Sequence, residues 1–497
     1  MGDPCVVGPP PTRRDPAVAV VGAGMSGLCV AIALLRSGID DITIYEKAHE
    51  VGGTWRENTY RGLVCDIPSR VYQYSFARNP NWSHLFSPGD EIQAYFCAVA
   101  DQFGLRDRIR FGTAITHARF DDGRWLLRTD AGSESRVDFL ISATGVLHHP
   151  RLPSIPGLDE FHGPVFHSAR WDHDVPLRGR RIAVIGNGST GVQLVCGLAG
   201  VAGTVLTFQR TAQWVLRLAN PRYSKFTALT RRRLPWLDRA AYRMYSLGYD
   251  FFAVGLTKPG LRRWIMAALC RASLWEVRDR QLRRAPTPDY TPACKRLVMS
   301  DGFYRAIQRD DVELVTAGID HVQRSGIVTD DGVLHEVDII VLATGFDTHA
   351  FFRPLQLIGR DGIAADDVWR DGPHAYQAVA LTGFPNFFMM LGPHSPVGNL
   401  ALTTVAESQA DHIVGWIQRW RRGEFDTIEP TAAATERFND KLRAAMPNTV
   451  WTTGCNSWYL NKDGVPEVWP LTPAEHRSML SRPDAGQYDL RRRVPTR

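Results

Sequence analysis

Two glycine-rich turns, each between an apolar strand and a helix, constrain the fold of this chain more than any other feature. They lie in "AVAVVGAGMSGLCVAIALL", which starts at Ala17, and in "RRIAVIGNGSTGVQLVCGLA", which starts at Arg180. In a G-x-G-x-x-G turn the first glycine permits the tight bend, the second lets a pyrophosphate approach the backbone, and the third allows close helix–strand packing. The start of the helix then faces the phosphates. Because both copies have this context, they predict two dinucleotide-binding units.

The residue at the end of the next strand distinguishes the two units. Glu46 follows the third glycine of the first turn by 19 residues, and Arg210 follows that of the second turn by the same interval. A carboxylate accepts hydrogen bonds from the ribose hydroxyls of an unphosphorylated adenosine, whereas an arginine neutralises a 2′-phosphate, to which Thr211 would add a hydroxyl. The first unit therefore predicts FAD or NAD and the second NADP, and the most economical pair is FAD followed by NADPH.

The duplicated pattern also predicts the fold class. Each half has a later strand that ends in Ala-Thr-Gly, at 143–145 and at 343–345, and 497 residues are too many for one ordinary core. We predict an α/β protein with two Rossmann-like domains, one for FAD and one for NADP. Residues 222–290 combine arginines and aromatic side chains at helical spacing, which predicts a helical insertion in the NADP domain. The Pro-rich residues 1–16 are predicted to be disordered.

Composition and cysteine spacing exclude several classes of protein. The net charge of +6 suits an anionic cofactor, but no basic stripe interleaved with aromatics points to nucleic acid. The eight cysteines form no C-x-x-C pair and no metal-ligand spacing, which argues against a dithiol reductase, a metal site and a disulfide framework. Scattered free thiols are typical of the cytoplasm, the location that we expect. A buried strand–turn–helix explains the uncharged residues 17–35, so no transmembrane segment is predicted.

The predicted insertion carries arginine runs at 231–233, 262–263 and 283–284. Such runs usually form the solvated face of a helix. Peripheral contact of this basic segment with a membrane is the less favoured alternative. The aromatic side chains of the insertion are expected in the core rather than on a binding surface, among them Trp236, Tyr245, Phe251 and Trp264.

Two further stretches of the sequence resemble motifs of one family of flavoproteins. The stretch "FHGPVFHSARWD" resembles the fingerprint of type I Baeyer–Villiger monooxygenases and matches it at every fixed position, namely Phe161, Gly163, His167, Trp171 and Asp172. A second family pattern resembles "GGTWRENTYRGLVCD", which matches at Gly53, Trp55, Tyr60, Gly62 and Asp66 and departs only at Arg61, where the family usually has proline. The resemblance covers roughly residues 18–469.

The resemblance implies a split domain organisation. The FAD domain would comprise residues 1–147 and 347–497, and its second part would include a mobile C-terminal loop. The NADP domain would comprise residues 148–346, with the helical insertion at about 217–294. The fingerprint would then lie on the connector between the two domains, where His167 and Trp171 would anchor it as the domains shift.

The resemblance also implies the reaction. NADPH would reduce FAD, the reduced flavin would capture O2 as a C4a-peroxide, and the peroxide would attack a ketone to give an ester or lactone. An N- or S-oxidising flavin monooxygenase is the alternative, and an NADP-responsive sensor and a leaky NADPH oxidase are further rivals. The expected partners are a small-molecule ketone and O2.

Site residues carried over from the family complete the prediction. Arg296 would be the cation near the flavin, because arginine keeps its proton and presents a preorganised fork, and Asp66 would hold it. The FAD contacts would be Gly22, Gly24, Met25, Ser26, Gly27, Glu46, Thr54, Trp55, Asp66, Tyr72 and Ile115. The NADP contacts would be Gly186, Asn187, Gly188, Ser189, Thr190, Gly191, Arg210, Thr211, Lys295 and Trp458.

Overall fold

The computed structural model describes residues 15–396, 400–461 and 464–492. The predicted disorder of residues 1–16 therefore falls outside the described residues, apart from the last two. The strands of the described chain are β1 (Val18–Val21), β2 (Ile42–Tyr45), β3 (Ile109–Arg110), β4 (Ile115–Asp121), β5 (Arg124–Thr129), β6 (Glu134–Val137), β7 (Phe139–Ser142), β8 (Val165–His167), β9 (Arg181–Ile185), β10 (Thr204–Phe208), β11 (Val215–Leu216), β12 (Val298–Met299), β13 (Val312–Val315), β14 (Ile319–Gln323), β15 (Gly326–Thr329), β16 (Leu334–Glu336), β17 (Ile339–Leu342), β18 (Gln356–Ile358), β19 (Phe387–Met389), β20 (Thr427–Pro430) and β21 (Tyr488–Arg491).

Helices connect and flank these strands. They are α1 (Met25–Arg36), α2 (Thr54–Glu57), α3 (Gly89–Gln102), α4 (Ser189–Leu198), α5 (Lys225–Arg233), α6 (Pro235–Thr257), α7 (Leu261–Ser273), α8 (Arg280–Arg284), α9 (Phe303–Ala306), α10 (Ala365–Val368), α11 (Leu402–Arg421), α12 (Ala432–Ala445) and α13 (Pro473–Ser481).

Two parallel five-stranded sheets form the frame of the molecule. The first has the order β19-β7-β1-β2-β3, and the second has the order β13-β10-β9-β17-β8. The strand before each glycine turn, β1 or β9, is central and lies between the strand that ends in Ala-Thr-Gly and the strand that carries Glu46 or Arg210 at its end. Ligands of such sheets bind at the carboxyl ends of the strands, where the strand order reverses. The predicted α/β fold with two Rossmann-like units is confirmed.

The last part of the chain returns to the first sheet. Strand β19 pairs with β7 in parallel, and helix α11 packs along α1, which follows the first glycine turn. Helix α11 is amphipathic and buries Ile413, Trp416 and Ile417 against this core. The buried strands of this sheet read as nearly continuous apolar runs, as expected for a parallel sheet covered on both faces.

The fingerprint segment has more regular structure than the sequence predicts. It was expected to form a connector, but Val165–His167 is an edge strand that pairs in parallel with β17, with Val165 opposite Ile340. The next three residues, Ser168–Arg170, form one turn of 3₁₀ helix. The pairing joins residues more than 170 positions apart, so no local pattern could reveal it. The segment is therefore an integral edge of the second sheet.

The insertion is helical, as predicted. Its aromatic side chains were expected in the core, but most of them are exposed. Trp236 on α6 is 58% exposed, Trp264 on α7 is 64% exposed, and Phe251 is also exposed. Tyr245 alone of the four packs against the main core as a partly buried residue. Helical spacing could not distinguish the two outcomes, because it does not say which face of a helix meets a neighbour. Among the described residues, no helix is sufficiently long and apolar to cross a bilayer.

The cysteines give a second correction. Cys294 and Cys455 form a disulfide across a sequence separation of 161 residues, whereas all cysteines were expected to be free thiols. The described free thiols are Cys29, Cys65, Cys97, Cys196 and Cys270. Spacing in the sequence could not reveal the pair, because tertiary contact alone brings the two residues together. With this disulfide the cysteines no longer indicate a reducing compartment.

Candidate active site

The first glycine turn is packed too tightly to accept side chains. Gly22 has a φ of 106°, and a Cβ there would lie 2.6 Å from the Ala143 carbonyl oxygen. A Cβ at Gly27 would overlap the carbonyl of Gly22. The carboxylate of Glu46 is buried and accepts hydrogen bonds from the amides of Ala23 (2.8 Å) and Ala48 (2.9 Å). These bonds fix its direction at the cavity wall and leave further lone pairs on both oxygens for ribose hydroxyls.

The second turn repeats this geometry. Gly186 has a φ of 107°, and a Cβ there would lie 2.5 Å from the Ala343 carbonyl oxygen. A Cβ at Gly191 would overlap the carbonyl of Gly186, but one at Gly188 would meet no atom within 4 Å. The middle glycine thus borders open space at the start of α4, which fits a pyrophosphate approaching the backbone.

The matched glycines give the first testable prediction. Gly27→Ala is expected to lower the FAD content of the purified protein, and Gly191→Ala is expected to leave FAD content normal and weaken NADP⁺ binding. Each methyl group would push its helix away from its strand and displace the phosphate-binding amides. Gly415→Ala, on α11, where a Cβ would meet no atom within 4 Å, controls for the addition of a methyl group to a helix without a clash. Flavin absorbance and NADP⁺ titration report the two effects, and equal loss of both cofactors in the two variants would contradict the assignment.

One cavity of about 2070 Å³ connects the two turns. The predicted FAD contacts that line it are Gly22, Gly24, Met25, Ser26, Glu46, Thr54, Trp55, Asp66, Tyr72 and Ile115. The predicted NADP contacts that line it are Gly186, Asn187, Gly188, Ser189, Thr190, Arg210, Thr211, Lys295 and Trp458, and Arg296 joins them. Gly27 and Gly191 stand behind the wall, as their packing role requires. The five fingerprint residues do not line the cavity.

Two cations share the wall beside the second turn. Burial lowers the pKa of Lys295; the nearby carboxylate of Asp289 opposes this shift, and the charge of Arg210 adds to it. The Lys295 ammonium lies 4.7 Å from the centroid of the Tyr290 ring. The side-chain amide of Asn187 donates to the Thr211 carbonyl at 2.8 Å, which ties the turn to the strand end that carries Arg210. Two neighbouring positive charges at this position fit a 2′-phosphate.

The predicted pair of Arg296 and Asp66 is in contact. The Arg296 guanidinium donates to the Asp66 carboxylate at 2.7 Å, and the two side chains are 31% and 18% exposed. The charge of Asp66 raises the pKa of Arg296 well above its usual value, in spite of burial, and Tyr459 contributes a hydrogen bond. The hydroxyl of Tyr249 on α6 donates to the Asp66 carbonyl at 3.0 Å. The arginine is therefore held permanently charged at the cavity wall.

Two aromatic side chains form the adjoining wall. The indole nitrogen of Trp55 donates to the Tyr72 hydroxyl at 3.0 Å, and the rings meet edge to face at a centroid distance of 5.5 Å. Burial raises the pKa of Tyr72, so its hydroxyl stays protonated. The hydrogen bond and the ring contact hold the two side chains together at the cavity wall.

The fingerprint contacts the cavity wall through one hydrogen bond to the backbone. The Ala169 amide donates to Nδ1 of His167 at 3.1 Å, so Nε2 carries the proton and donates to the Gly345 carbonyl at 3.0 Å. Burial lowers the pKa of His167, which favours this neutral form. Gly345 ends the second Ala-Thr-Gly strand and lines the cavity. Trp171 packs edge to face on Phe166 at 5.1 Å. The motif thus braces the strand end that borders the second turn.

Sequence reasoning missed three contributors to the site. Tyr459 follows Trp458 directly and hydrogen-bonds Arg296. Gln193 on α4 accepts from the Tyr60 hydroxyl at 2.8 Å and donates to the Val64 carbonyl at 2.8 Å, which links the second glycine-turn helix to the loop of Asp66. The disulfide is the third. Tyr459 stood within the quoted "SWY" motif, whereas no signal marks the other two.

Comparisons with known proteins agree with this geometry. Residues 15–242 match the family model described as flavin-binding monooxygenase-like. An uncharacterized monooxygenase of Mycobacterium tuberculosis is 72% identical, with 98% of each chain covered. A Baeyer–Villiger monooxygenase of Streptomyces coelicolor is 36% identical, covering 96% of this chain and 93% of its own. The crystal structure of cyclohexanone monooxygenase from Rhodococcus sp. Phi1 bound to NADP⁺ superposes with a TM-score of 0.86 at 27% identity, over 96% of this chain and 99% of that one.

Proposed function

This chain belongs to the Baeyer–Villiger monooxygenases, within the flavin-binding monooxygenases, and on that premise we propose that it converts apolar ketones into esters or lactones with Arg296 as the cation at the reacting centre. It is an NADPH-dependent FAD enzyme that inserts one oxygen atom of O2 beside a ketone carbonyl. Bound FAD, once reduced by NADPH, supplies the activation of O2. The observation that carries the proposed role is the 2.7 Å bond between Arg296 and Asp66 at the cavity wall.

Arg296 would stabilise the negative charge that develops on the ketone oxygen. A guanidinium keeps its proton at all working pH values, and its planar fork can bond Asp66 and still present further N–H groups. Asp66 and Tyr459 together fix the orientation of Arg296, so little reorganisation is needed when charge develops. Arg210 and Lys295 would hold the 2′-phosphate of NADPH, and Glu46 the ribose of FAD. Trp458 would pack on the NADP ribose.

The substrate side of the cavity is apolar. Helices α6 and α7 and two neighbouring loops contribute side chains with no charge, among them Met244, Phe252, Leu256, Met266, Leu269, Leu391 and Leu400. An apolar wall binds a ketone through the area that it removes from water, which gives affinity without strict shape selection. We therefore assign the substrate class as neutral, apolar ketones.

The domain boundaries are proposed at 147/148 and 346/347. Strands β1, β2, β3, β7 and β19 share the first sheet, and β8, β9, β10, β13 and β17 share the second. The two changes of sheet fall between β7 and β8 and between β17 and β19, close to the two Ala-Thr-Gly strand ends.

A homologous series of ketones tests the substrate class. Each methylene added to a linear ketone is expected to raise kcat/KM about fourfold until the wall is filled, since a buried methylene contributes ~0.8 kcal/mol. The matched ω-carboxylate ketones are expected to be poorer substrates than the neutral ones. Ester formation by chromatography gives kcat/KM for each compound. A preference for the carboxylates would show that the arginines, and not the apolar wall, select the substrate.

A further inference from the structure

The disulfide lies between the two chain segments that form the cation side of the cavity. Cys294 precedes Lys295 and Arg296, and Cys455 precedes the segment 456–459, whose four residues all line the cavity. Both cysteines are buried, with 0% and 7% exposure. The covalent bond therefore joins the segment that carries Lys295 and Arg296 to the segment 456–459 at the cavity wall.

Non-covalent contacts also join these two segments. Arg296 hydrogen-bonds Tyr459, and the Tyr459 ring lies 5.9 Å from the Trp451 ring and 4.3 Å from that of Trp458. Tyr459 belongs to a small buried cluster with Met266, Ala293, Val450, Trp451 and Val468, separate from the two sheet cores. A cluster of this size gives limited stability to a segment that reaches the cavity from a distant part of the chain.

We propose that Cys294 and Cys455 are positioning residues whose disulfide keeps Trp458 and Tyr459 against Arg296 and the NADP side of the cavity. The inference rests on the proposed function of that site. With the disulfide, segment 456–459 stays close to Arg296 when it opens, so its effective concentration there remains high. Without the disulfide, its return must close a loop of about 160 residues between the two cysteines. The tether would slow the escape of NADP⁺ and keep the arginine oriented.

Hydrogen peroxide is the oxidant that would form this disulfide from the two thiols. The two thiols lose two electrons and two protons as the S–S bond forms, and H2O2 accepts them to give two molecules of water. A dithiol reverses the step: it supplies two electrons and two protons, and it becomes a disulfide itself. The bond is thus a reversible constraint on the site.

Peptide mass spectrometry of the holoenzyme, digested without reductant after alkylation, tests the bond itself. The expected result is a cross-linked pair of peptides that contain Cys294 and Cys455. Recovery of both cysteines as alkylated thiols from protein treated with H2O2 would overturn the proposal. This result does not depend on any ketone being oxidised, so it is independent of the proposed function.

Variants test the positioning role. Cys455→Ser is expected to raise the Kd for NADP⁺ about tenfold and to increase H2O2 released per NADPH, while the rate of flavin reduction at saturating NADPH stays unchanged. Cys97→Ser removes a half-buried free thiol and serves as the matched control. Wild-type enzyme reduced with dithiothreitol should show the same changes, and H2O2 should restore it but not Cys455→Ser. Unchanged NADP⁺ affinity in both the variant and the reduced enzyme would overturn the positioning role.

Discussion

Arg296→Ala is expected to retain reduction of FAD by NADPH and to form ester about 100- to 1,000-fold more slowly, the usual cost of losing one preorganised charge donor. Hydride transfer from NADPH should need only that the two cofactors are bound in contact, and we assign their binding to the glycine turns, Arg210 and Lys295. Attack on the ketone creates negative charge that only a fixed cation can stabilise at the cavity wall. Stopped-flow absorbance measures the reduction, and chromatography measures the ester.

Two further variants separate charge from geometry. Arg296→Lys keeps the charge but loses the fork, so we expect an intermediate rate. Arg305→Ala removes an exposed arginine that pairs with Asp301 away from the cavity wall, and it should behave as wild type. Asp66→Asn should lose activity in the same direction as Arg296→Ala, because the guanidinium loses its anchor. An Arg296→Ala enzyme with a normal ester yield would contradict the assignment.

Arg210→Ala is expected to abolish the preference for NADPH over NADH. Hydrogen bonds to charged groups contribute ~1.5–3 kcal/mol, so kcat/KM for NADPH should fall about 10- to 150-fold, while that for NADH should change little. Initial rates of NADPH and NADH oxidation with a saturating ketone measure the ratio. Lys295→Ala should act in the same direction, and the double variant should be less than additive because the two cations share one phosphate.

An unchanged cofactor preference in Arg210→Ala would contradict the role assigned to Arg210. If Arg210→Ala kept its preference for NADPH, the cation at the strand end would not contact the 2′-phosphate, and Lys295 alone would have to do so. Arg222→Ala, which changes an exposed arginine that does not line the cavity, controls for loss of net charge.

The parts of the structure that were predicted correctly from the sequence are those determined by backbone conformation and short sequence intervals. The turns at Gly22 and Gly186 combine positive φ with close contact to the next strand, and only glycine satisfies both. Glu46 and Arg210 lie at a fixed interval from those turns, because one helix, one short loop and one strand separate them. The bond between Asp66 and Arg296 was expected only because each stood in a family motif.

The parts that sequence could not predict depend on distant contacts. The strand Val165–His167 exists because it pairs with β17, and its own residues show no alternation. Cys294 and Cys455 are separated by 161 positions in the sequence and are brought together only by tertiary contact. The exposure of Trp236 and Trp264 depends on how α6 and α7 pack against each other and beside the cavity, which helical periodicity does not encode.

The most direct test of the central claim is a single aerobic reaction of the purified enzyme with NADPH, ¹⁸O2 and a panel of apolar ketones and sulfides. Mass spectrometry quantifies ester and sulfoxide, and a peroxide assay quantifies H2O2. We predict that ester carrying one ¹⁸O atom accumulates in step with NADPH loss for at least one neutral ketone. Sulfoxide or H2O2 as the only product across the panel would contradict the assignment of Arg296 and Asp66 to ketone oxidation.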